Sequence, residues 1–171
     1  MAELTVQDLA PGVAAALGGV CNRGIINGGG SVLVVDSGIG PAEAQPLRAA
    51  AETRLGKGYL ALFNTHEHSD HTFGNQIFAD CPIIAQDAVR TVLTERGADL
   101  LAAWKQNPQM ADLIGDAQIA LPTVTFAERQ TLYLGDLEVQ LIRVGPAHSQ
   151  GDAFAWLPGP RVLFAGDILF N

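Results

Sequence analysis

The sequence feature that most constrains the fold is an apolar run that ends in a cluster of histidines. Residues 59–63 have the length and composition of a β-strand that is buried on both faces. Residues 66–71 (HEHSDH) follow and hold three of the chain's four histidines. A sheet must therefore form around this strand, and its carboxyl end must present the cluster where ligands collect.

The pattern on either side predicts a mixture of strands and helices. Residues 24–27 and 31–36 form a predicted hairpin around three glycines. Further strands are predicted at residues 82–85, 124–126, 131–134, 137–144, 153–157 and 161–165. Helical spacing is found at residues 41–55, 75–79, 87–96, 98–104 and 109–119. This order of elements predicts a single α+β domain over residues 1–171.

Charge and composition exclude several classes of function. Ten basic and eighteen acidic residues give a net charge of −8, which disfavours a nucleic-acid partner. The longest apolar runs are far shorter than the ~20 residues that cross a bilayer, so no membrane association is expected. The first twenty residues lack the basic start of a secretory signal. Cys21 and Cys81 form no C-x-x-C pair and are expected to be small buried packing residues, which favours a cytoplasmic location.

The histidine cluster has the spacing of a metal site. In an extended segment, residues i and i+2 point the same way, so His66 and His68 can face one cavity. Asp70 and His71 follow in the next turn and can reach a second position close by. Imidazole nitrogens and carboxylate oxygens are ligands for zinc, iron and manganese. We therefore predict a two-metal site here, with Glu67 and Ser69 as solvated loop residues rather than ligands.

Two residues far along the chain complete the pattern. His148 lies in a glycine-flanked loop between two predicted strands, and Asp167 ends another apolar strand, from where it could bridge two metals. Taken in order, the H-x-H-x-D-H motif, residues 148–152 (HSQGD) and the Gly-Asp pair at 166–167 resemble the metallo-β-lactamase fold superfamily of metal-dependent hydrolases. Asp36 resembles the first, largely structural aspartate of that superfamily.

The resemblance implies a fold and a ligand set. The fold is an αββα four-layer sandwich with the metals at the edge between two β-sheets. The ions are zinc by default, two in the complete fold, with iron or manganese as alternatives. The implied ligands are His66, His68 and His148 for the first metal, and Asp70, His71 and a bridging Asp167 for the second.

The resemblance also implies a reaction. A metal-held hydroxide would attack an ester, thioester or lactone bond of a small-molecule substrate, and Asp70 would act as the catalytic residue that orients this nucleophile. The same ligands also suit an iron-dependent sulfur dioxygenase. A third hypothesis is a non-catalytic metal-binding or dimerisation module.

The sequence departs from the superfamily pattern after Asp167, where no further histidine follows. Members with this pattern carry an additional sheet section, flanking helices and a last histidine ligand to the second metal. We therefore expect the first part of the fold, lacking its C-terminal part. A fold cut in this way exposes a sheet edge and an apolar face, so a homo-oligomer is expected.

Overall fold

The computed structural model describes residues 3–169, which form two β-sheets packed face to face. The strands of the first sheet are β1 (Thr5–Ala10), β2 (Val13–Leu17), β3 (Arg23–Gly28), β4 (Ser31–Val35), β5 (Leu60–Asn64), β6 (Ile83–Gln86) and β7 (Val124–Phe126). They lie side by side in chain order. Strands β1 to β4 pair antiparallel, and β4 to β7 pair parallel.

The central strands explain why this sheet forms. Every residue of β4, β5 and β6 is buried, as expected for parallel strands that are covered on both faces. The predicted hairpin between β3 and β4 is confirmed, and its turn requires glycine. Gly29 and Gly30 both adopt positive φ angles, of 60° and 83°, which is the backbone of a two-residue hairpin turn that side chains disfavour.

The second sheet is antiparallel and contains the later strands. These are β8 (Arg129–Leu134), β9 (Leu137–Arg143), β10 (Ala153–Leu157) and β11 (Val162–Phe164), in the order β11-β10-β9-β8. Alternate residues of these strands, such as Val139, Leu141 and Ala155, pack with Leu33 and Phe63 of the first sheet in one buried core. On the opposite face of the second sheet, Tyr133 is 70% exposed.

Helices cover the other face of the first sheet. They are α1 (Pro41–Glu52), α2 (Ser69–Thr72), α3 (Asp87–Lys105) and α4 (Ala111–Ile114). Leu47 of α1 packs on Val34 and Leu62 of the sheet in a second core cluster. The helices and the two sheets form three layers of the expected αββα sandwich, so the predicted fold is confirmed. None of these helices combines the length and apolar character needed to span a membrane.

Several predicted elements differ from the observed ones. Residues 87–96 and 98–104 form one helix, α3, with Gly97 in its interior, where an added Cβ atom would lie 3.2 Å from Ile119. The helix predicted at residues 109–119 is reduced to α4, which ends at Gly115 with a positive φ of 50°. Strands β1 and β2 were not predicted. Most residues of β1 are exposed at the sheet edge, so burial leaves little pattern in its sequence.

Candidate metal centre

The carboxyl end of β5 delivers the first two histidines. The chain stays extended after Asn64, and α2 begins only at Ser69, with His68 in an extended conformation before it. The rings of His66 and His68 therefore lie close together, with centroids 4.7 Å apart. His66 is buried and His68 is exposed, so this pair reaches from the core to the surface.

His148 comes from the loop between β9 and β10 and completes a group of three. Its Nε2 atom lies 3.0 Å from Nδ1 of His68, and its ring centroid lies 5.0 Å from that of His66. One ring nitrogen from each of the three histidines falls within 4.8 Å of the others. Three imidazoles at this separation match the protein ligands of a catalytic metal with an open position.

A second group lies beside the first. Nε2 of His71 is 3.1 Å from Oδ1 of Asp167 and 3.4 Å from Oδ2 of Asp70. The other carboxylate oxygen of Asp167 is 3.6 Å from Nε2 of His148. Asp167 therefore lies between the two groups, where the sequence predicted a bridging residue. The structure brings together all six residues that the sequence singled out as metal ligands.

Asp36 braces the histidine segment, which is the structural role that its resemblance to the superfamily's first aspartate implies. It directly follows β4, is buried, and adopts a positive φ of 60°. Its carboxylate accepts hydrogen bonds from the backbone N–H and the hydroxyl of Thr65, both at 2.8 Å. Its Oδ2 atom also lies 2.8 Å from Nδ1 of His71. Asp36 thus holds the chain on both sides of His66.

The Asp36–Thr65 contact also determines which nitrogen of His66 is available. The Thr65 hydroxyl donates its proton to Asp36, so its oxygen can only accept from His66 Nδ1, which lies 3.1 Å away. The proton of the neutral His66 ring then resides on Nδ1. Its Nε2 atom keeps a free lone pair, which is the arrangement a metal ligand needs.

The prediction that Glu67 is solvated is wrong. Glu67 is buried and accepts hydrogen bonds from three consecutive residues of the His148 loop. Its partners are the Ser149 hydroxyl at 3.0 Å, the Gln150 N–H at 2.9 Å and the Gly151 N–H at 3.1 Å. Glu67 alternates with the two histidines and points to the opposite side of the extended segment, where it fastens the loop that carries the third histidine.

The prediction that Cys21 is only a buried packing residue is also wrong. Cys21 lies in the loop between β2 and β3, is half-buried, and lines the cleft beside Asp70 and His71. Its thiol donates to the Asp70 carbonyl oxygen at 3.0 Å. Nothing in the local sequence indicates this contact, because the two residues are 49 positions apart and meet only through the sheet.

Burial and charge act differently on the two buried histidines. Burial lowers the pKa of His66 to about 4, and the charge of His71 acts in the same direction. Burial also disfavours the charged form of His71. Three neighbouring carboxylates outweigh this effect and raise the pKa of His71 above its ordinary value; they belong to Asp36, Asp167 and Asp70.

The acidic residues of the site are held in their charged form. Burial opposes the charge of Asp70, but the close contact with His71 and the charge of its ring prevail and lower the pKa of Asp70. The close contact with His71 likewise lowers the pKa of Asp167. Burial raises the pKa of the Cys21 thiol, which favours its protonated form in the protein without a cation.

The donor atoms fit metal ions. Among residues 3–169, Nε2 of His66 and Nε2 of His71 are buried ring nitrogens without a hydrogen-bond partner of suitable geometry. Buried polar atoms are rarely left unpaired, and a cation coordinated by these nitrogens would satisfy both. The second group opens onto a cleft of about 650 Å³, which Asp70, His71 and Asp167 help to line.

Two curated proteins are similar to this chain in sequence. The chain is 26% identical over 156 residues to the 2,4-dinitroanisole O-demethylase subunit alpha of Nocardioides sp., covering 90% of this chain and 42% of that protein. It is 29% identical over 144 residues to the hydroxyacylglutathione hydrolase of Rhodospirillum rubrum, covering 83% of this chain and 44% of that protein. The chain thus spans less than half the length of these curated relatives.

The fold is shared with a solved metallo-beta-lactamase from Pontibacter korlensis. The TM-score is 0.75 at 17% identity, and the match covers 95% of this chain and 71% of that one. The family model described as the metallo-beta-lactamase superfamily matches residues 16–171. With this match, the shared fold and the assembled ligand groups, the chain belongs to the metallo-β-lactamase superfamily.

Proposed function

We propose that this chain carries the metal centre of a hydrolase that cleaves an acyl bond of a small molecule, with a thioester as the first candidate and an ester or lactone as the next. The observation that carries the proposal is the pair of ligand groups that meet at Asp167. Each group contains a buried Nε2 atom, in His66 and in His71, that forms no hydrogen bond of suitable geometry, and that of His71 lies against two carboxylates.

The relatives support the substrate class. The Rhodospirillum rubrum protein is named a hydroxyacylglutathione hydrolase, and the acyl group of such a substrate is bound to sulfur. The cleft of about 650 Å³ is in the size range of small-molecule sites. The net charge of −8 disfavours a nucleic acid in it.

The residues of the metal centre fall into two sets of ligands. His66, His68 and His148 would hold one ion, and Asp70, His71 and Asp167 would hold the other. Bound zinc ions would supply Lewis acidity and a nucleophilic water at neutral pH.

Asp70 is the catalytic residue of this proposal. Its side chain is 26% exposed, so it reaches the cleft, and its lowered pKa keeps it ionised. The carboxylate can therefore accept a hydrogen bond from an attacking water and orient it.

The first test is metal content. Plasma emission spectrometry on protein purified without chelator should give about two equivalents, as expected for two ligand groups. The double variant His66→Ala and His68→Ala should lose most of this metal, whereas the exposed Gln130→Ala control should keep it. Absence of metal from the unsubstituted chain would overturn the proposal.

The second test separates three functions that share these ligands. Apoprotein reconstituted with zinc or with iron is assayed for thiol release from an acylglutathione and for oxygen uptake with a sulfur substrate. An aryl methyl ether is assayed as a further substrate, because the Nocardioides relative is named an O-demethylase subunit. Zinc-supported thiol release supports the hydrolase, and oxygen uptake with iron alone indicates the dioxygenase. Tight metal binding without turnover indicates a non-catalytic module.

A further inference from the structure

Cys21 lies against the second ligand group, although it belongs to a distant part of the sequence. Its Sγ atom is 3.0 Å from the Asp70 carbonyl oxygen. The ligand atoms of Cys21, Asp70 and His71 all fall within 4.8 Å of one another. A sulfur, a carboxylate and an imidazole at this spacing form a donor set that zinc accepts.

An independent observation on His71 indicates that a ligand belongs there. The side chain of His71 is 1% exposed, and Asp36 occupies its Nδ1 atom at 2.8 Å. Its Nε2 atom is buried and lies 3.4 Å from Oδ2 of Asp70 and 3.1 Å from Oδ1 of Asp167, without hydrogen-bond geometry to either. This nitrogen therefore lies among carboxylate donors without a directed partner, beside the Sγ atom of Cys21.

We propose that Cys21 is a thiolate ligand of the second metal ion, together with Asp70, His71 and Asp167. The inference rests on the metal binding proposed above and adds a sulfur ligand to it. On binding, the thiol proton passes to solvent, and no electron transfer is involved. The thiolate and the Asp70 carboxylate would then balance the two positive charges of the ion, and the Asp167 carboxylate would be shared with the first ion.

The loop that carries Cys21 is held on both sides. Glu43 of α1 accepts a hydrogen bond from the Val20 N–H at 2.9 Å. The same carboxylate pairs with Arg23 at 3.1 Å, and both side chains of this ion pair are buried. Because Val20 before it and Arg23 after it are anchored, Cys21 is positioned before any ion arrives, which reduces the entropy lost on binding.

Cobalt(II) substitution tests the proposal by a signal other than activity. A thiolate ligand gives cobalt(II) a strong near-ultraviolet charge-transfer band, whereas histidine and carboxylate ligands give only the weaker visible bands. We expect the near-ultraviolet band in the unsubstituted chain and its loss in Cys21→Ser, with a fall from about two metal equivalents to about one. Cys81→Ser is the matched control, because Cys81 is also half-buried and also donates to a backbone carbonyl, that of Phe78.

The outcomes separate this inference from the proposed function. Visible cobalt bands without the charge-transfer band would overturn the role of Cys21 and leave the hydrolase proposal intact. Absence of all cobalt bands would overturn both. Loss of the charge-transfer band in Cys81→Ser but not in Cys21→Ser would also contradict the inference.

A measurement on the unsubstituted chain avoids any folding defect of a variant. Iodoacetamide labelling is followed by mass spectrometry, with and without added zinc. Zinc should protect Cys21 and leave the labelling of Cys81 unchanged. Equal labelling of Cys21 in both samples, at a zinc concentration that fills the site, would overturn the proposal.

Discussion

Oδ2 of Asp36 lies 2.8 Å from Nδ1 of His71, and both side chains are almost completely buried. This contact fixes the ring of His71 so that Nε2 faces Asp70 and Asp167. Residues that orient a ligand in this way typically contribute 10–100-fold to metal affinity.

Replacing this brace should weaken the second metal site. In Asp36→Asn, an amide NH2 group replaces one carboxylate oxygen and cannot accept a hydrogen bond from Thr65 or His71. We therefore expect the affinity for the second metal equivalent to fall by roughly 10–100-fold. Competition titration with a chromophoric chelator measures this metal affinity. Asp136→Asn, in an exposed hairpin turn, should bind metal normally, and unchanged affinity in Asp36→Asn would contradict the assigned role.

Glu67 should act on the first site through the His148 loop. Glu67→Gln replaces an acceptor oxygen with an amide NH2 group. This group is itself a donor and faces the donors of Ser149 and Gly151. We expect the loop to loosen and affinity for the first equivalent to fall by roughly 10–100-fold. Glu128→Gln is the control, because Glu128 is exposed and pairs only with Arg143 near the surface. Equal affinities in the two variants would show that the loop is held by other contacts.

Metal removal should destabilise the folded chain. Apoprotein leaves Nε2 of His66 buried without a hydrogen-bond partner and Nε2 of His71 buried against two carboxylates, and an ion that binds only the folded state stabilises it. At a free zinc concentration 100 times the dissociation constant, the expected gain is about 2.7 kcal/mol in the free energy of unfolding. Thermal unfolding with and without a chelator measures the shift. The shift should be much smaller in His68→Ala.

Close packing between the sheets should make Gly28 intolerant of a side chain. A methyl group at Gly28 would overlap the backbone carbonyl oxygen of Leu134. We expect Gly28→Ala to lower the free energy of unfolding by about 1–3 kcal/mol or more, measured by urea denaturation. Gly159→Ala serves as the control because a methyl group there meets no atom within 4 Å. Similar stability of the two variants would contradict this packing argument.

Long apolar runs and turn residues made most strands predictable. The buried run before the histidines became β5, and the glycine turn placed β3 beside β4, because burial and backbone geometry act within a few residues. Strand β1 was missed because its exposed edge position imposes no hydrophobic pattern. The continuity of α3 through Gly97 was missed, and the approach of Ile119 to this glycine joins positions that no local window contains. A cytoplasmic location and a homo-oligomer stay predictions.

The sequence by itself determined the histidine-rich segment and its position at the end of a buried strand, since both depend on spacing along one stretch of chain. Only the tertiary structure decided that Glu67 fastens the His148 loop and that Cys21 borders the second ligand group. Both contacts join segments that lie 49 or more residues apart. Such contacts arise from the pairing of strands and the packing of two sheets, which no local pattern of residues encodes.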